Sequence, residues 1–240
     1  ICSWFIFFGL LSEIQAQDTT INFQIVIPIS TGIHDVEEEE DGTIYTNSSD
    51  LELIDDGGIQ TVGLHFENIQ IPQGGIINQA YIQFGTDEIS NGICNLEINA
   101  EATANATSFT TTPFDITNRF STVETVDWSP DNWSLIGENG IKQRTPNIDT
   151  IIQEIINQPD WQIGNAINIF ISGVGKRVAE AYEGDQDLAA KLIIETSLTF
   201  STDNIENIYI NELMALNNVV TDEFGEVDDW LEIYNDSDTG

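Results

Sequence analysis

Basic side chains are nearly absent from this chain. Six Lys and Arg stand against 41 Asp and Glu, a formal net charge of -35 over 240 residues. A surface this negative cannot neutralise phosphates, so the expectation is no nucleic-acid partner and no anionic membrane surface. Cations, neutral polymers such as polysaccharides, and basic proteins remain compatible partners. Such a surface also stays soluble in high salt, which screens its self-repulsion.

Cysteine is scarce too. Cys2 falls in a segment expected to be removed, which leaves Cys94 alone and excludes a disulfide framework. Cys94 opens the apolar-alternating run 94–100, so a buried structural thiol is expected there rather than a reactive one. The two histidines, His34 and His65, lie far apart in the chain. There is no H-E-x-x-H helix for zinc and no G-x-S-x-G elbow for a serine nucleophile. His65 sits between Leu64 and Phe66 in an alternating run and is expected to face solvent. Carboxylates are so abundant that no pair stands out as a glycosidase pair. The stretch Gly173-Val174-Gly175-Lys176-Arg177 fails as a phosphate loop, because its first glycine is misplaced and Arg177 stands where Ser or Thr should follow the lysine. Lys176 and Arg177 are instead expected to pair with carboxylates such as Glu180 or Glu183. The expectation is a chain without catalysis of its own.

Long apolar runs are also missing: none approaches the roughly 20 residues needed to cross a bilayer. The block Trp4 to Leu11, followed by Ala16 and Gln17-Asp18, reads as an export leader over residues 1–17. It lacks an initiator Met and a basic segment, so the leader is expected to be cut short at its start.

What the chain does have is alternation. Hydrophobic residues make up 40% of it, enough for a sizeable core. They recur with period two at Ile21, Phe23, Ile25, Ile27 and Ile29, at Val62, Leu64 and Phe66, and at Ala80, Ile82 and Phe84. The same pattern returns at Leu96, Ile98 and Ala100, at Ile167, Ile169 and Ile171, and from Leu192 to Phe200. Turn signals such as Asp56-Gly57-Gly58, Pro72-Gln73-Gly74-Gly75 and Asn91-Gly92 separate the runs. Many short strands with polar turns predict an all-β fold over residues 18–200, an antiparallel, jelly-roll-like sandwich. One segment departs from it. Ile148, Ile151, Ile152, Ile155 and Ile156 fall on one helical face between Pro146 and Pro159, which predicts a short amphipathic helix capped by Thr145. Residues 201–207 read as a linker, and apolar character resumes at Ile208.

Two stretches carry resemblances. From Ile208 to Asn235 the chain reads IYINELMALNNVVTDEFGEVDDWLEIYN. Asn211, Glu212, Met214, Ala215 and Asn217, then Thr221, Asp222, Glu223, Gly225 and Glu226, then Asp229, Trp230, Glu232 and Asn235 match the opening of a bacterial lamin tail domain. That resemblance implies an immunoglobulin-like sandwich of about 100 residues, begun but incomplete over residues 208–240. It also implies export and a role in adhesion or substrate contact. The central stretches Gln60 to Phe84, Trp128 to Trp133 and Gly164 to Gly184 resemble a β-sandwich module of large secreted bacterial proteins, whose jelly-roll-like pattern is similar to carbohydrate-binding modules.

Two constellations stand out as sites. Asp35, Glu37 and Glu38 belong to the acidic run 35–42, and Asp50 and Glu52 sit at strand spacing beyond it. Held together, these five carboxylates would repel one another unless a cation offset them, which is the case for a structural Ca2+. The alternative is a solvated acidic loop that adds solubility. Among the aromatics, Trp128, Trp133 and Tyr182 are candidates for a sugar-stacking platform. The alternative for the tryptophans is a plug over the sandwich end. The functional expectation is a secreted or cell-surface binding and adhesion module, carbohydrate-binding and calcium-stabilised, that meets a polysaccharide or cell-surface component. Its rivals are the accessory region of an exported hydrolase (nuclease, phosphatase or glycosidase) and a structural spacer.

Overall fold

The computed structural model describes residues 19–200, 208–214 and 230–235. The predicted leader, the linker 201–207 and all the positions matched to the lamin tail between 215 and 229 lie outside the described residues.

Twelve strands and one helix make up the main unit: β1 Thr19–Pro28, β2 Asp35–Glu39, β3 Ile44–Tyr45, β4 Asp50–Glu52, β5 Gln60–Phe66, β6 Ile76–Gln83, β7 Thr86–Glu88, β8 Asn95–Ala100, β9 Val126–Trp128, α1 Asp149–Ile156, β10 Ile167–Val174, β11 Val178–Glu180 and β12 Lys191–Phe200. They form a six-stranded sheet in the order β3-β2-β5-β10-β8-β9, a three-stranded sheet β1-β12-β6, and a short three-stranded sheet β4-β11-β7. The fold is an all-β antiparallel sandwich with one short helix. By itself, the second unit holds β13 Ile208–Met214 paired antiparallel with β14 Trp230–Asn235, in a register running from Ile208↔Asn235 to Met214↔Trp230.

The core follows from the alternation. Val62, Leu64, Phe66, Ile169 and Ile171 of the large sheet share one apolar cluster with Ala80, Ile82, Leu192 and Ile194 of the smaller one. Fully burying one such Leu or Ile is worth about 1.5–3 kcal/mol. Ile148, Ile151, Ile152, Ile155 and Ile156 join the same cluster, so α1 covers the sandwich on the predicted face. Its start differs from the expectation. Thr145 does not cap it: its hydroxyl accepts a hydrogen bond from Ile82 N, and its own N–H donates to Ile82 O, holding the segment beside β6. The N-cap position falls on Ile148, which has no side-chain cap, and Asn147 Oδ1 accepts from Asp149 N at 3.2 Å just before the helix.

The acidic run also corrects the sequence reading. Asp35 to Glu39 is no solvated loop; it is β2, inside the large sheet and bonded to both β3 and β5. Carboxylates have poor strand propensity, and the fold compensates with hydrogen-bond donors, as described below.

Residues 107–119 form a second layer on the outer face of the large sheet. Phe109 and Ile116 of this segment pack with Val36, Ile44 and Phe170 in a separate apolar cluster. Gly63 makes room for it, since a Cβ there would lie 2.7 Å from the Phe109 ring. This layer is why His65 does not face solvent. It is only 2% exposed, with Phe109 edge-on at 6.3 Å between centroids. Cys94 is buried, as expected, and its thiol donates to Leu53 O.

Candidate cation site

The five carboxylates expected to share one cation do not converge. Three of them serve the fold separately. Asp35 Oδ2 accepts from Tyr182 N at 2.7 Å, and burial pushes its carboxyl up to about 7. Glu37 Oε1 accepts from Glu52 N and from Gln60 Nε2, each at 2.8 Å, tying β2 to β4. Glu38 lies on the opposite face of β2, where its carboxylate accepts from Ile116 N at 2.7 Å and from the Thr117 hydroxyl, anchoring the covering layer. Strand alternation makes this separation unavoidable, because Glu37 and Glu38 are adjacent residues on one strand.

Asp50 and Glu52 also part company. Glu52 faces Glu37 and lies 3.7 Å from Lys176 Nζ. Asp50 belongs to a different group on the short sheet. Across β4-β11-β7, Asp50 pairs in register with Glu180 on the central strand. On the other side, Val178 pairs with Glu88 and Ala179 with Thr86, so Asp87 is the extra residue of a β-bulge. Bulges re-aim side chains, and here Asp87 and Glu88 both reach Asp50: one carboxylate oxygen from each of the three lies within 4.8 Å of the others. Oxygens at 2.3–2.6 Å from one Ca2+ can be no more than about 5 Å apart, so this spacing fits a single hard cation. Glu180, 9% exposed, adds a fourth carboxyl. Burial pushes it up to about 7, reinforced by the charge of Asp87 and a hydrogen bond with it, and by Asp185 and Asp50. Protons or a cation must therefore offset this group near neutral pH.

The backbone adjoining this group carries exposed aliphatic residues. Thr86 N donates to Glu138 O, Gly137 N to Thr86 O, and Ser90 and Trp133 exchange both backbone hydrogen bonds. This pairing sets the 86–93 segment beside 133–138. Ile89, Ile93, Leu135 and Ile136 there are 61–84% exposed.

The tryptophans sit in the core. Trp128 is 4% exposed and Trp133 fully buried, with Phe84 stacked on Trp128 at 5.8 Å and Trp133 Nε1 donating to Lys142 O. Both belong to the main apolar cluster, so neither ring lies open to a sugar. Tyr182 is half-buried and packs on the core. Arg177 pairs with neither Glu180 nor Glu183. It is 1% exposed and donates to the carbonyls of Gly92, Pro130, Asp131 and Lys176. Asp87 and Glu88 carry no signal in the sequence, because isolated acids in an acidic chain do not stand out, and Glu180 stands out there only as an ion-pair partner for Lys176 or Arg177.

No protein-family model matches the chain, and no curated protein matches it. Among the described residues, no helix is long and apolar enough to cross a membrane.

Proposed function

We propose that this chain is a non-catalytic contact module of an exported, surface-acting protein, stiffened by Ca2+ on the β4-β11-β7 sheet. One observation carries the reading: Asp50, Asp87 and Glu88 converge within 4.8 Å beside Glu180, next to the exposed aliphatic side chains of Ile89, Leu135 and Ile136. A cation would lock a short sheet of only three-residue strands. Those aliphatic side chains would then be held as a firm surface for a polysaccharide or cell-surface component. The leader-like start and the lamin-tail resemblance support export and adhesion.

Thermal unfolding of the full chain in Ca2+, Mg2+ and EDTA tests the cation. At about a hundred times the dissociation constant, Ca2+ adds about 2.7 kcal/mol, which raises Tm by roughly 5–10 °C for a domain of this size. The Asp50→Asn/Asp87→Asn double variant is expected to lose that increment. An unchanged Tm in Ca2+ removes the cation from the reading. A glycan array run in Ca2+ and in EDTA tests the contact surface, and an array blank in both removes the sugar.

A further inference from the structure

The chain has two histidines, and the fold puts them together. His34 ends the 3-10 turn that leads into β2, and the antiparallel register Asp35↔Leu64 sets it across from His65 on β5. Their ring centroids are 4.5 Å apart. Glu67, two residues beyond His65, projects to the same side of the strand. His34 Nε2 lies 3.9 Å and His65 Nε2 3.6 Å from Glu67 Oε1. These distances are too long for hydrogen bonds. They approach the spacing of about 3.3 Å between neighbouring ligands that sit 2.0–2.1 Å from a tetrahedral Zn2+.

The protonation of His65 follows from its neighbours. Asn168 Nδ2 donates to Glu101 Oε2 at 2.8 Å and to Thr107 O at 3.0 Å, so the amide nitrogen is committed to two acceptors. Asn168 Oδ1 then faces His65 Nδ1 at 2.6 Å and can only accept. His65 Nδ1 therefore donates to Asn168 Oδ1, which leaves Nε2 as the nitrogen turned toward the Glu67 carboxylate. With His34 Nε2 turned to the same carboxylate, the three ligand atoms lie within 4.8 Å of one another. The chain of bonds ends in Arg119, whose Nη1 donates to Glu101 Oε2 at 2.7 Å. Ser30 Oγ, 3.0 Å from His34 Nδ1, orients the other ring. Such outer hydrogen bonds fix tautomer and direction for metal-ligating imidazoles. Both rings are nearly buried, whereas the Glu67 side chain is 55% exposed, so the group opens to solvent on one side.

We propose that His34 Nε2, His65 Nε2 and the Glu67 carboxylate bind one divalent metal of the zinc class, with a fourth position open to water on the Glu67 side. Two imidazoles and one carboxylate suit zinc, cobalt or nickel rather than calcium or magnesium, which prefer all-oxygen sites. The proposal is independent of the cation group on the β4-β11-β7 sheet and stands on different residues.

The test uses the full chain without a histidine tag, stripped with EDTA and dialysed. Co2+ titration is expected to produce the visible d–d absorption of a four-coordinate ion at one equivalent, and Zn2+ is expected to bleach it. Glu67→Gln, chosen because its side chain is largely exposed, and His34→Gln are each expected to weaken binding at least tenfold, with circular dichroism confirming the fold. Asp50→Asn/Asp87→Asn is expected to keep the full Co2+ spectrum. The proposal is overturned if the stripped chain shows no Co2+ absorption and no Zn2+ binding, if both ligand variants bind like the parent, or if the signal disappears with the Asp50/Asp87 variant.

Discussion

Glu37 and Glu52 lie side by side in the sandwich, and the Glu52 backbone N–H donates to the Glu37 carboxylate at 2.8 Å. Burial pushes Glu37 from 4.5 up to about 8, reinforced by the Glu52 charge and opposed by that same hydrogen bond. The folded chain thus holds this proton more tightly than the unfolded chain does. The stability it contributes is complete below about pH 4.5 and is lost as pH rises toward 8. Tm measured in EDTA is expected to fall across that window, and Glu37→Gln is expected to flatten the fall. A Tm that rises steadily from pH 5 to pH 8 contradicts the assignment.

Glu180→Gln should act with opposite signs in two buffers. In EDTA above pH 7 it removes a carboxylate held beside Asp87 and is expected to raise Tm. In Ca2+ it removes a ligand and is expected to shrink the calcium increment. Scanning calorimetry in both buffers reads the two effects separately.

Arg177 serves four backbone carbonyls from a fully buried position. Arg177→Ala strands those oxygens and is expected to cost about 3 kcal/mol or more. Arg177→Lys keeps the charge without the planar fork and is expected to recover only part of the loss in urea unfolding.

Trp133→Phe deletes the indole N–H that donates to Lys142 O and leaves most of the ring in place. A loss of about 1–2 kcal/mol is expected, with glycan-array signal unchanged from the parent. A Trp133→Phe protein of parental stability that loses ligand binding would restore the sugar-platform reading.

Gly63→Ala drives a methyl group into the Phe109 ring. Overpacking of this kind costs about 1–3 kcal/mol. In a double-mutant cycle, Phe109→Leu is expected to relieve part of the penalty; strictly additive losses would mean that the two side chains do not meet.

The strands at 62–66, 96–100 and 167–171 and the helix at 149–156 were legible because period two and period 3.6 are local properties of the chain. Buried Cys94 followed from the same alternation. β2 was not legible: Asp35 to Glu39 has the composition of a solvated loop, and only donors supplied by Glu52, Gln60, Ile116, Thr117 and Tyr182 make it tenable inside a sheet. Alternation puts His65 on the correct strand but not in its true surroundings, since it reveals which face a residue takes and not whether a second layer covers that face.

By itself, then, the sequence determined an acidic, alternating, all-β chain with one short helix, because side-chain periodicity and charge are written residue by residue. Only the tertiary structure decided which acids and imidazoles meet. Strand order and register bring Asp50 to Asp87 and Glu180, and His34 to His65 and Glu67, and register arises from pairing between segments that are distant in the chain.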